Sequence, residues 1–263
     1  MRNTTIMQFK NYDPKKLKYP MLGQVKKDGI FGRWCSVSQK FFTRSNNAIQ
    51  GLEVLENEMR HMPDMDGELL IPSMPFFESS GLIRSFNSTP DCKYYVFDMP
   101  MSSVTTCHRI MHYTDILTDA NLTHVEALPA QVLKNQQDID EYFENVLSLG
   151  EEGVVYKNAD ACYYNGKKYF CMKRVPAKTV ECKIIGFQEG TKSFTNMLGA
   201  FLVNYKGHEV KVGNGPEMTH AFRMEVWNDP DKYIGRMLTV EYKSKTTKGS
   251  LRSPKYKGIR WDI

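Results

Sequence analysis

Short apolar runs separated by glycine-containing turns dominate the C-terminal part of the chain. The runs at 180–187, 199–205, 208–212 and 237–243 are rich in β-branched and aromatic residues, and one helix-like stretch lies at about 217–227. Several strands within roughly 80 residues predict a small barrel, because closure removes the exposed edges of such a sheet. We therefore expect two domains, at 1–186 and 187–263.

Residues 1–186 mix helical and strand periodicities. Strands are predicted on both sides of a glycine-containing turn within 21–44, where we expect them to pair, and at 65–71, 93–98, 153–157 and 168–174; helices are predicted at 49–61 and from 139 to Gly150, and a long loop at 72–92. The expected fold class is α+β, with antiparallel sheets and flanking helices followed by the small barrel.

The composition indicates a soluble globular protein. Hydrophobic residues make up 41% and charged residues 25% of the 263 residues, which is ordinary for such a chain. No apolar run approaches the ~20 residues of a membrane helix, and residues 1–20 lack the apolar core of a signal peptide. The six cysteines include no C-x-x-C pair and are expected to be free thiols. We expect a cytoplasmic protein that does not bind membranes.

The positive charge is concentrated near the C-terminal end. Residues 186–263 contain 13 Lys+Arg and 8 Asp+Glu, whereas residues 1–185 contain 22 of each, so the net charge of +5 lies in the later part. The stretch 243–260 has no acidic residue and carries Lys243, Lys245, Lys248, Arg252, Lys255, Lys257 and Arg260. Such a cluster suits a phosphate backbone, because each neutralised phosphate releases a condensed counterion. A solvated basic tail is the alternative.

Lys26 lies in a short segment, residues 24–29, that combines two lysines with an aspartate and a glycine. A lysine amine has an ordinary pKa of about 10.4, so it needs neighbouring cations or desolvation to act as a nucleophile near neutral pH. A tight turn at Asp28 and Gly29 would hold the amine at a fixed point. On its own, such a segment is common in surface loops, so the prediction depends on motifs farther along the chain.

Five further short motifs come after Lys26 in order. They are Arg44 in 43–46, Glu68 in 66–69, Phe97 and Asp98 at the end of 94–98, Glu152 in 152–157, and Lys173 ahead of 179–184. In order and spacing this series resembles the covalent nucleotidyltransferase family of ATP-dependent DNA ligases, RNA ligases and mRNA capping enzymes. The resemblance covers nearly the whole chain, and the ordered series is far more specific than any one of its members.

The resemblance implies how the chain would hold ATP. Lys26, fixed beside Asp28, would attack the α-phosphate and form a phosphoramidate. Gln24 would read the adenine amino group, Glu68 would accept a hydrogen bond from the ribose hydroxyl, and Phe97 would stack on adenine. Taken singly, Glu68 would more often be an exposed hairpin acid, and Phe97 would more often be part of the core.

Other residues implied by the resemblance would act on metal and phosphate. Glu152, with Glu68, would hold Mg²⁺, which prefers oxygen ligands and bridges phosphates. Lys157 and Lys173 would neutralise the α-phosphate as charge develops. Arg44 would position the AMP or the 5′-phosphate of a nick, a task that suits a planar guanidinium. Outside this context, each would be an ordinary surface side chain.

Two positions depart from the family pattern. The family usually has an arginine two residues after the glycine of the lysine motif. Here that position is Phe31, and Arg33, on the same face of the strand, is the expected substitute in nucleotide binding. The first lysine of the family's late pair is replaced by Cys171, and Arg174 and Lys178 are the candidates to compensate.

The C-terminal segments 212–215 and 246–254 are similar to the oligonucleotide-binding (OB-fold) barrel of small phage-type DNA ligases. Residues 260–262 resemble the family's last motif, which orients pyrophosphate, so the resemblance implies that Arg260 and Asp262 contribute to nucleotide binding. That motif generally ends in a lysine, where this chain has Ile263. The alternative for Arg260 is a surface ion pair.

Together these features predict an ATP-dependent DNA ligase that seals nicks, with a nucleotidyltransferase domain at 1–186 and an OB-fold DNA-binding domain at 187–263. ATP and Mg²⁺ are the expected cofactors, nicked double-stranded DNA is the expected partner, and a monomer is the expected state. An RNA ligase or a GTP-using capping enzyme shares the first chemical step and stays an alternative. A non-catalytic nucleic-acid-binding protein would leave the motifs at Lys26, Glu68 and Glu152 unexplained.

Overall fold

The computed structural model describes residues 6–85, 87–89, 91–246 and 248–261. These residues form two compact units, which divide between Pro176 and Ala177. The sequence-based boundary between 186 and 187 lies farther along the chain, inside the strand Lys178–Glu189. That strand pairs with two strands of the second unit on both of its edges, so all of it folds with that unit.

The first unit combines β-strands with four α-helices in its described residues. The strands are β1 (Met7–Asn11), β2 (Met21–Lys26), β3 (Ile30–Cys35), β4 (Lys40–Phe42), β5 (Ala48–Ile49), β6 (Met65–Leu70), β7 (Lys93–Asp98), β8 (Val125–Ala127), β9 (Gln131–Leu133), β10 (Gly153–Asn158) and β11 (Gly166–Arg174). The helices are α1 (Glu53–Glu58), α2 (Phe76–Arg84), α3 (Thr106–Ala120) and α4 (Gln136–Ser148).

The strands of the first unit form two sheets. The first sheet has the order β1-β11-β10-β2-β9, and the second has the order β5-β4-β3-β6-β7-β8. Neighbouring strands are antiparallel except β1 with β11 and β7 with β8. The turn at 27–29 connects β2 in the first sheet to β3 in the second. The prediction that these strands pair was wrong, because alternation reports a buried face and not the partner strand.

Helices cover the outer faces of the two sheets, and the inner faces oppose one another. On the first sheet, Tyr156 packs beneath α4 and donates a hydrogen bond to the Ile139 carbonyl. On the second, Tyr94 of β7 lies in one core with Leu55 of α1 and Tyr113 of α3. Since side chains alternate along a strand, Lys157, next to Tyr156, points the opposite way and reaches the second sheet.

A buried ion-pair network, the Asp98 brace, joins the inner faces. Asp98 has no solvent exposure and receives hydrogen bonds from Lys157 Nζ at 3.1 Å and from Arg109 Nε at 2.6 Å. Lys157 comes from β10, Arg109 from α3 and Asp98 from the end of β7, so three elements depend on this carboxylate. Burial alone would raise the pKa of Asp98, but the Lys157 and Arg109 charges outweigh it and lower the pKa below its ordinary value.

The segment 48–61 is less helical than predicted. Residues 48–49 form the short strand β5, and α1 begins only at Glu53. Gly51 interrupts the helix: its φ of +78° lies in the left-handed region, and a Cβ there would lie 2.0 Å from the Asn87 carbonyl oxygen. The four apolar residues Ile49, Leu52, Leu55 and Met59 are all buried, but the helix predicted over 49–61 is present only at Glu53–Glu58.

The loop predicted at 72–92 contains a helix. Helix α2 occupies Phe76–Arg84, where Ser79 Oγ accepts a hydrogen bond from the Ile71 amide and Ile83 is buried. Pro, Ser and Gly in this segment concealed the helix, because their low intrinsic propensity is outweighed by tertiary packing. Strand β1 and helix α3 were also not predicted. The predicted strands at 65–71, 93–98, 153–157 and 168–174, and the helix before Gly150, are confirmed.

The second unit is a curved antiparallel sheet with one α-helix in its described residues. Its elements are β12 (Lys178–Glu189), β13 (Leu198–Tyr205), β14 (His208–Val212), α5 (His220–Asn228), β15 (Met237–Tyr242), β16 (Ser244–Lys245), β17 (Leu251–Arg252) and β18 (Lys255–Arg260). The sheet order is β14-β13-β12-β15-β18, and β16 pairs with β17 as a separate hairpin. The edges approach where the Tyr256 amide donates to the Asn214 carbonyl at 2.7 Å, which gives the sheet a barrel-like form.

A buried arginine ties α5 to this sheet. The Arg223 guanidinium donates to the carbonyl oxygens of Leu198, Gly199, Gly213 and Met218 at 2.7–3.1 Å. One buried side chain therefore donates to four backbone carbonyls, which come from β13, from the residue after β14 and from the segment before α5. Among the residues that the structure describes, no helix is long and apolar enough to cross a membrane.

Replacing Asp98 by alanine should lower the free energy of unfolding by about 3–5 kcal/mol, because two buried cations lose their counterion. Since the folded-state pKa of Asp98 is lowered, its contribution is complete above the unfolded value of about 3.9 and is lost as pH falls through the folded value. As the pH falls, the free energy of unfolding measured in urea should therefore decrease more steeply for the parent than for Asp98→Asn. Glu126→Gln breaks the exposed pair with Lys93 and should cost less than about 1 kcal/mol. Equal losses in the two variants would contradict the brace.

Arg223→Met should destabilise the second unit by about 2–4 kcal/mol, since the hydrophobic side chain leaves several buried carbonyls without donors. Hydrogen exchange of β13 amides would report the loss within the intact chain. Met224→Ala, an exposed change on the same helix, should alter protection by no more than about 0.5 kcal/mol. Unchanged protection in Arg223→Met would show that water satisfies these carbonyls.

Candidate active site

The Lys26 turn is pressed against the second sheet. Lys26 ends β2, and the chain turns through Asp28 and Gly29 into β3. A Cβ on Gly29 would lie 2.5 Å from the Leu69 carbonyl oxygen and 2.8 Å from Glu68 Cγ. No other residue fits this approach without displacing β6, so the glycine is what allows the lysine turn to lie beside Glu68.

The two consecutive lysines have separate acidic partners. Lys26 Nζ forms an ion pair with Glu152, just before β10, and Lys27 Nζ forms one with Glu151. Lys27 also lies 5.1 Å from the ring centre of Tyr95. The side chain of Lys26 retains 18% of its exposure, so its amine is largely withdrawn from water but remains accessible.

A charged cluster surrounds the Lys26 amine. Burial raises the pKa of Glu68 to about 7; the charges of Lys26 and Arg44 oppose this rise, and those of Glu152 and Asp28 add to it. Burial likewise raises the pKa of Glu152, opposed by Lys26. The charge of Lys26 therefore acts on both carboxyls, and the predicted residues Lys26, Asp28, Arg44 and Glu152 all lie close enough to Glu68 for their charges to act on it.

Lys173 joins this cluster through β11. Burial raises the pKa of Glu152, and the charge of Lys173, like that of Lys26, opposes part of this rise. In the strand register, Lys173 lies opposite Val155 of β10, and Val155 lies opposite Gln24 of β2. Residues opposite one another in a ladder share a face. Gln24, Lys26 and Lys173 therefore lie on the inner face of the first sheet.

Gln24 has one polar atom without a partner. Its side chain is 1% exposed, and Nε2 donates to Tyr113 Oη at 2.7 Å and to the Leu128 carbonyl at 2.9 Å. Gln24 Oε1 is buried and has no hydrogen-bond partner among the described residues. A buried acceptor without a donor is unfavourable by about 1–3 kcal/mol, so this oxygen fits a ligand that supplies an N–H.

Phe97 lies among aromatic rings near the same inner face. Its ring centre is 5.9 Å from that of Phe9 and 6.3 Å from that of Phe31. Lys157 Nζ lies 5.1 Å from the Phe97 ring centre while it pairs with Asp98. Lys157 is thus fully engaged in the Asp98 brace, and its expected contact with a phosphate stays a prediction.

Two predicted arginines occupy different places. Arg33 is anchored by Asp66, which accepts from Nε at 2.7 Å and from Nη2 at 2.9 Å, and by the Tyr163 hydroxyl. Arg44 is exposed and lies 5.0 Å from the ring centre of Phe31. The aromatic ring at the family's usual arginine position therefore supports a second arginine, which comes from the loop after β4.

The candidates to compensate for the missing lysine are placed elsewhere. Burial raises the pKa of Cys171 to about 12, so the thiol is neutral near pH 7 and adds no charge. Arg174 points to the outer face, where it pairs with Asp140 at 2.5 Å and stacks on Phe143. Lys178 begins β12 of the second unit. Arg174 therefore does not replace the missing lysine, because its side chain points away from the inner face that carries Lys26.

A divalent metal could be held only with help from the substrate. Within the described part of the chain, no group of three or more His, Cys, Asp or Glu side chains is arranged as a metal site. Glu68 and Glu152 share one charged cluster and offer carboxylate oxygens. Mg²⁺ takes one or two carboxylates and completes its shell with phosphates and water, so the two residues fit this ion.

In the second unit, Arg260 lies on β18 with Nη1 3.7 Å from Glu181 Oε1. Asp262, Ile263 and Thr247 lie outside the described residues. Within the basic stretch, Lys255 and Lys257 both pair with Glu241, which offsets part of its charge. The ion pair expected as the alternative for Arg260 is therefore present, and its role with pyrophosphate stays a prediction.

Tyr113 and Arg109 were not anticipated, because α3 was not predicted. The signal was available: Thr106, Ile110, Tyr113 and Leu117 recur at helical spacing and are all buried. Polar residues between them obscured the pattern. What no periodicity could show is that a tyrosine on this helix reaches the amide of Gln24 on a strand.

The chain is similar in sequence and fold to DNA ligases. Residues 189–260 match the family model described as DNA ligase OB-like domain. The chain is 26% identical over 258 residues to a DNA ligase of Haemophilus influenzae, which covers 97% of this chain and 91% of that protein. Its fold is similar to that of a Lig E DNA ligase, with a TM-score of 0.80, 22% identity and coverage of 97% and 98% of the two chains. It is also similar to the ATP-dependent DNA ligase from bacteriophage T7 solved with ATP, with a TM-score of 0.58, 18% identity and coverage of 98% and 99%.

These similarities agree with the architecture of the two units. The expected α+β fold class, with antiparallel sheets and flanking helices of the nucleotidyltransferase kind followed by an OB-fold barrel, is confirmed. The expected resemblance to the small ATP-dependent DNA ligases is therefore confirmed, and residues 189–260 carry the similarity to the DNA ligase OB-like domain.

Proposed function

We propose that the chain is an ATP-dependent DNA ligase, which seals nicks in duplex DNA through a covalent lysyl-AMP and an adenylated 5′-phosphate. The observation that carries this proposal is the setting of Lys26. Its partly buried amine contacts Glu152 and lies within the charged cluster of Glu68 and Lys173, on the same sheet face as the unpartnered Gln24 oxygen. The named ligase relatives support the same reaction.

The proposed nucleotide contacts depend on the chemistry of each side chain. Gln24 Oε1 accepts from the adenine amino group, and Phe97 contributes an aromatic surface to the base. Glu68, on which the charges of Lys26 and Arg44 both act, accepts a hydrogen bond from a ribose hydroxyl. The need for an N–H opposite Gln24 Oε1 favours ATP over GTP, whose base carries an oxygen at that position. This supports the ligase proposal over a GTP-using capping enzyme.

In the first step, Lys26 Nζ forms a bond to the α-phosphorus while the bond from that phosphorus to the bridging oxygen breaks, and pyrophosphate leaves with the electron pair. The lysine must first lose a proton. Glu152 pairs with the ammonium and holds this side chain in place. The proton passes from the ammonium to water. Asp28 holds the turn that aims the amine.

The later steps restore the lysine. An oxygen of the DNA 5′-phosphate attacks the same phosphorus, and the nitrogen–phosphorus bond to Lys26 breaks. The 3′-hydroxyl then attacks the 5′-phosphorus and loses its proton to water. The bond from that phosphorus to the bridging oxygen breaks, and AMP leaves with the electron pair as the strand is joined. Lys173 and Arg44 would offset the charge on the phosphates, with Lys157 acting from beneath Phe97.

Mg²⁺, held by Glu68 and Glu152 with phosphate oxygens, would supply charge neutralisation at the reacting phosphate. Arg33 would shape the nucleotide pocket from its anchored position against Asp66, and Arg260 would orient pyrophosphate. The basic OB-like unit would bind nicked duplex DNA, with the chain acting as a monomer inside the cell, where ATP and DNA are both found. These roles rest on the family resemblance.

Incubating the protein with ATP and Mg²⁺ should add one AMP to the chain, and Lys26→Ala should abolish this addition because the nucleophile is removed. Intact-mass spectrometry and peptide mapping would measure it. Lys27→Ala is a matched control: it removes the adjacent lysine and its Glu151 pair but leaves the nucleophile, so adenylation should persist. An adenylated Lys26→Ala protein, or a parent that never gains AMP, would refute the proposed chemistry. Sealing of a nicked duplex, compared with nicked RNA, then tests the polynucleotide.

A further inference from the structure

Six lysines of the first unit surround one surface recess of about 580 Å³, which we call the lysine recess. They are Lys10, Lys15, Lys16, Lys18, Lys167 and Lys168. No acidic residue lines the recess, and within the described chain none of the six forms an ion pair with a carboxylate. Because residues 1–185 have no net charge, this concentration is invisible in the composition.

An irregularity in the pairing of β1 with β11 builds the recess. Phe9 lies opposite Lys168, but the next residue, Lys10, lies opposite Met172, so residues 169–171 of β11 have no partner on β1 and form a bulge. The bulge exposes Tyr169 and Phe170, at 40% and 38% of their surfaces. Both side chains line the recess.

The Tyr169 ring holds two of the ammonium groups. Lys10 Nζ lies 5.1 Å and Lys16 Nζ 5.8 Å from its centre. Attraction to the ring face offsets part of the repulsion between like charges. The remaining repulsion would be relieved by an anion that spans several lysines, so the recess is already arranged for a polyanion.

We propose that the lysine recess binds the phosphate backbone of duplex DNA as a sequence-independent contact of the first unit. This proposal rests on the proposed ligase function. Lysines provide point charges without the planar fork that reads a single phosphate or base, and backbone contacts of this kind position a duplex without selecting its sequence. A site that spreads six amines over one surface suits a repeating phosphodiester better than one small anion.

The test compares two triple variants with the same net charge. Lys15→Gln/Lys16→Gln/Lys168→Gln removes three charges from the recess, and Lys40→Gln/Lys93→Gln/Lys134→Gln removes three from other solvent-accessible positions of the first unit. Affinity for nicked duplex DNA is measured between roughly 50 and 200 mM salt. Self-adenylation of each protein with ATP is measured in parallel, since it needs no DNA.

For the recess variant, the slope of log affinity against log salt concentration should be less steep by about 2.7, or about 0.9 for each lost phosphate contact. Between the two salt concentrations, its DNA affinity should therefore fall about 40-fold less than that of the parent. Its adenylation should match the parent. Identical DNA affinity and slope in the two triple variants would overturn the recess proposal while leaving the ligase function intact. Loss of nucleotide binding with unchanged DNA binding would assign the recess to a small anion instead and would also overturn it. Failure of the parent to adenylate would count against the ligase proposal alone.

Tyr113 and Leu128 fix the orientation of the Gln24 side-chain amide. Tyr113 has one hydroxyl hydrogen, which it donates to the Leu128 carbonyl at 2.7 Å. Its oxygen can therefore only accept from Gln24, and Leu128 can also only accept. A flipped amide would place Gln24 Oε1 against these two oxygens, so the flipped state is unfavourable. Burial raises the pKa of Tyr113, which keeps the phenol protonated.

We infer that Tyr113 is a positioning residue for base selection: it locks the Gln24 amide so that an acceptor faces the nucleotide base. This inference also rests on the use of ATP. A 6-amino purine supplies the required N–H, and a 6-oxo purine places a second acceptor against Gln24 Oε1. The tyrosine would not touch the nucleotide and would act through the amide.

The test compares the KM of the parent and of Tyr113→Phe in self-adenylation with three nucleotides that differ at the 6-position of the purine. Tyr113→Phe removes the hydroxyl, so KM for ATP should rise about 5- to 10-fold, the size of one hydrogen bond, with kcat within about twofold. The preference for ATP over inosine triphosphate should fall by a similar factor. With purine riboside triphosphate, which lacks a 6-substituent, the parent and variant should have nearly equal KM values.

Tyr156→Phe provides the matched control, because Tyr156 is also buried and its hydroxyl donates to a backbone carbonyl, at 3.2 Å, but on the outer face of the sheet. It should leave the ATP-to-inosine preference unchanged. If Tyr113→Phe raises KM equally for all three nucleotides, or leaves the preference for ATP over inosine triphosphate unchanged, the positioning role is wrong. A parent that adenylates with none of them would instead argue against the ligase function.

Discussion

The first unit depends on one carboxylate that has no contact with water. Asp98 neutralises Lys157 from the first sheet and Arg109 from α3, and so joins β10, α3 and the end of β7. A conventional apolar interface would stabilise the unit without such charges, since buried ion pairs are costly to desolvate. Here the ion pairs place fixed charges between the sheets, beside the apolar cluster that contains Phe31 and Phe97.

This arrangement also explains why Lys26 lies where it does. The turn that carries it is the covalent link from one sheet to the other, and Gly29 allows that link to press against Leu69 and Glu68. Lys26 therefore approaches acidic groups from both sheets, with Glu152 on its own side and Glu68 across the interface. The wrong pairing predicted for β2 and β3 concealed this relation, which only the sheet assignments reveal.

Periodicity and motif order predicted much of the fold and the central residues of the site. The strands around Lys26, Glu68 and Lys173 alternate regularly, and local alternation is enough to identify them. Tertiary contacts defeated the remaining predictions. Gly51 shortens α1 through a contact with a distant carbonyl, and the lysine recess depends on a bulge that brings residues 10–18 beside 167–170. Neither a sum of charges nor a local pattern contains such information.

The position of Lys26 at the junction of two sheets has a consequence for how the protein would lose activity. Any motion that parts the sheets would draw Glu68 away from the amine before either sheet has to melt. Inactivation on heating would then report the docking of the sheets rather than the loss of secondary structure. Preparations with an intact circular-dichroism spectrum would then lack the proposed ligase activity. The proposed nucleotide ligand, by contacting both faces, would protect against this first stage of inactivation.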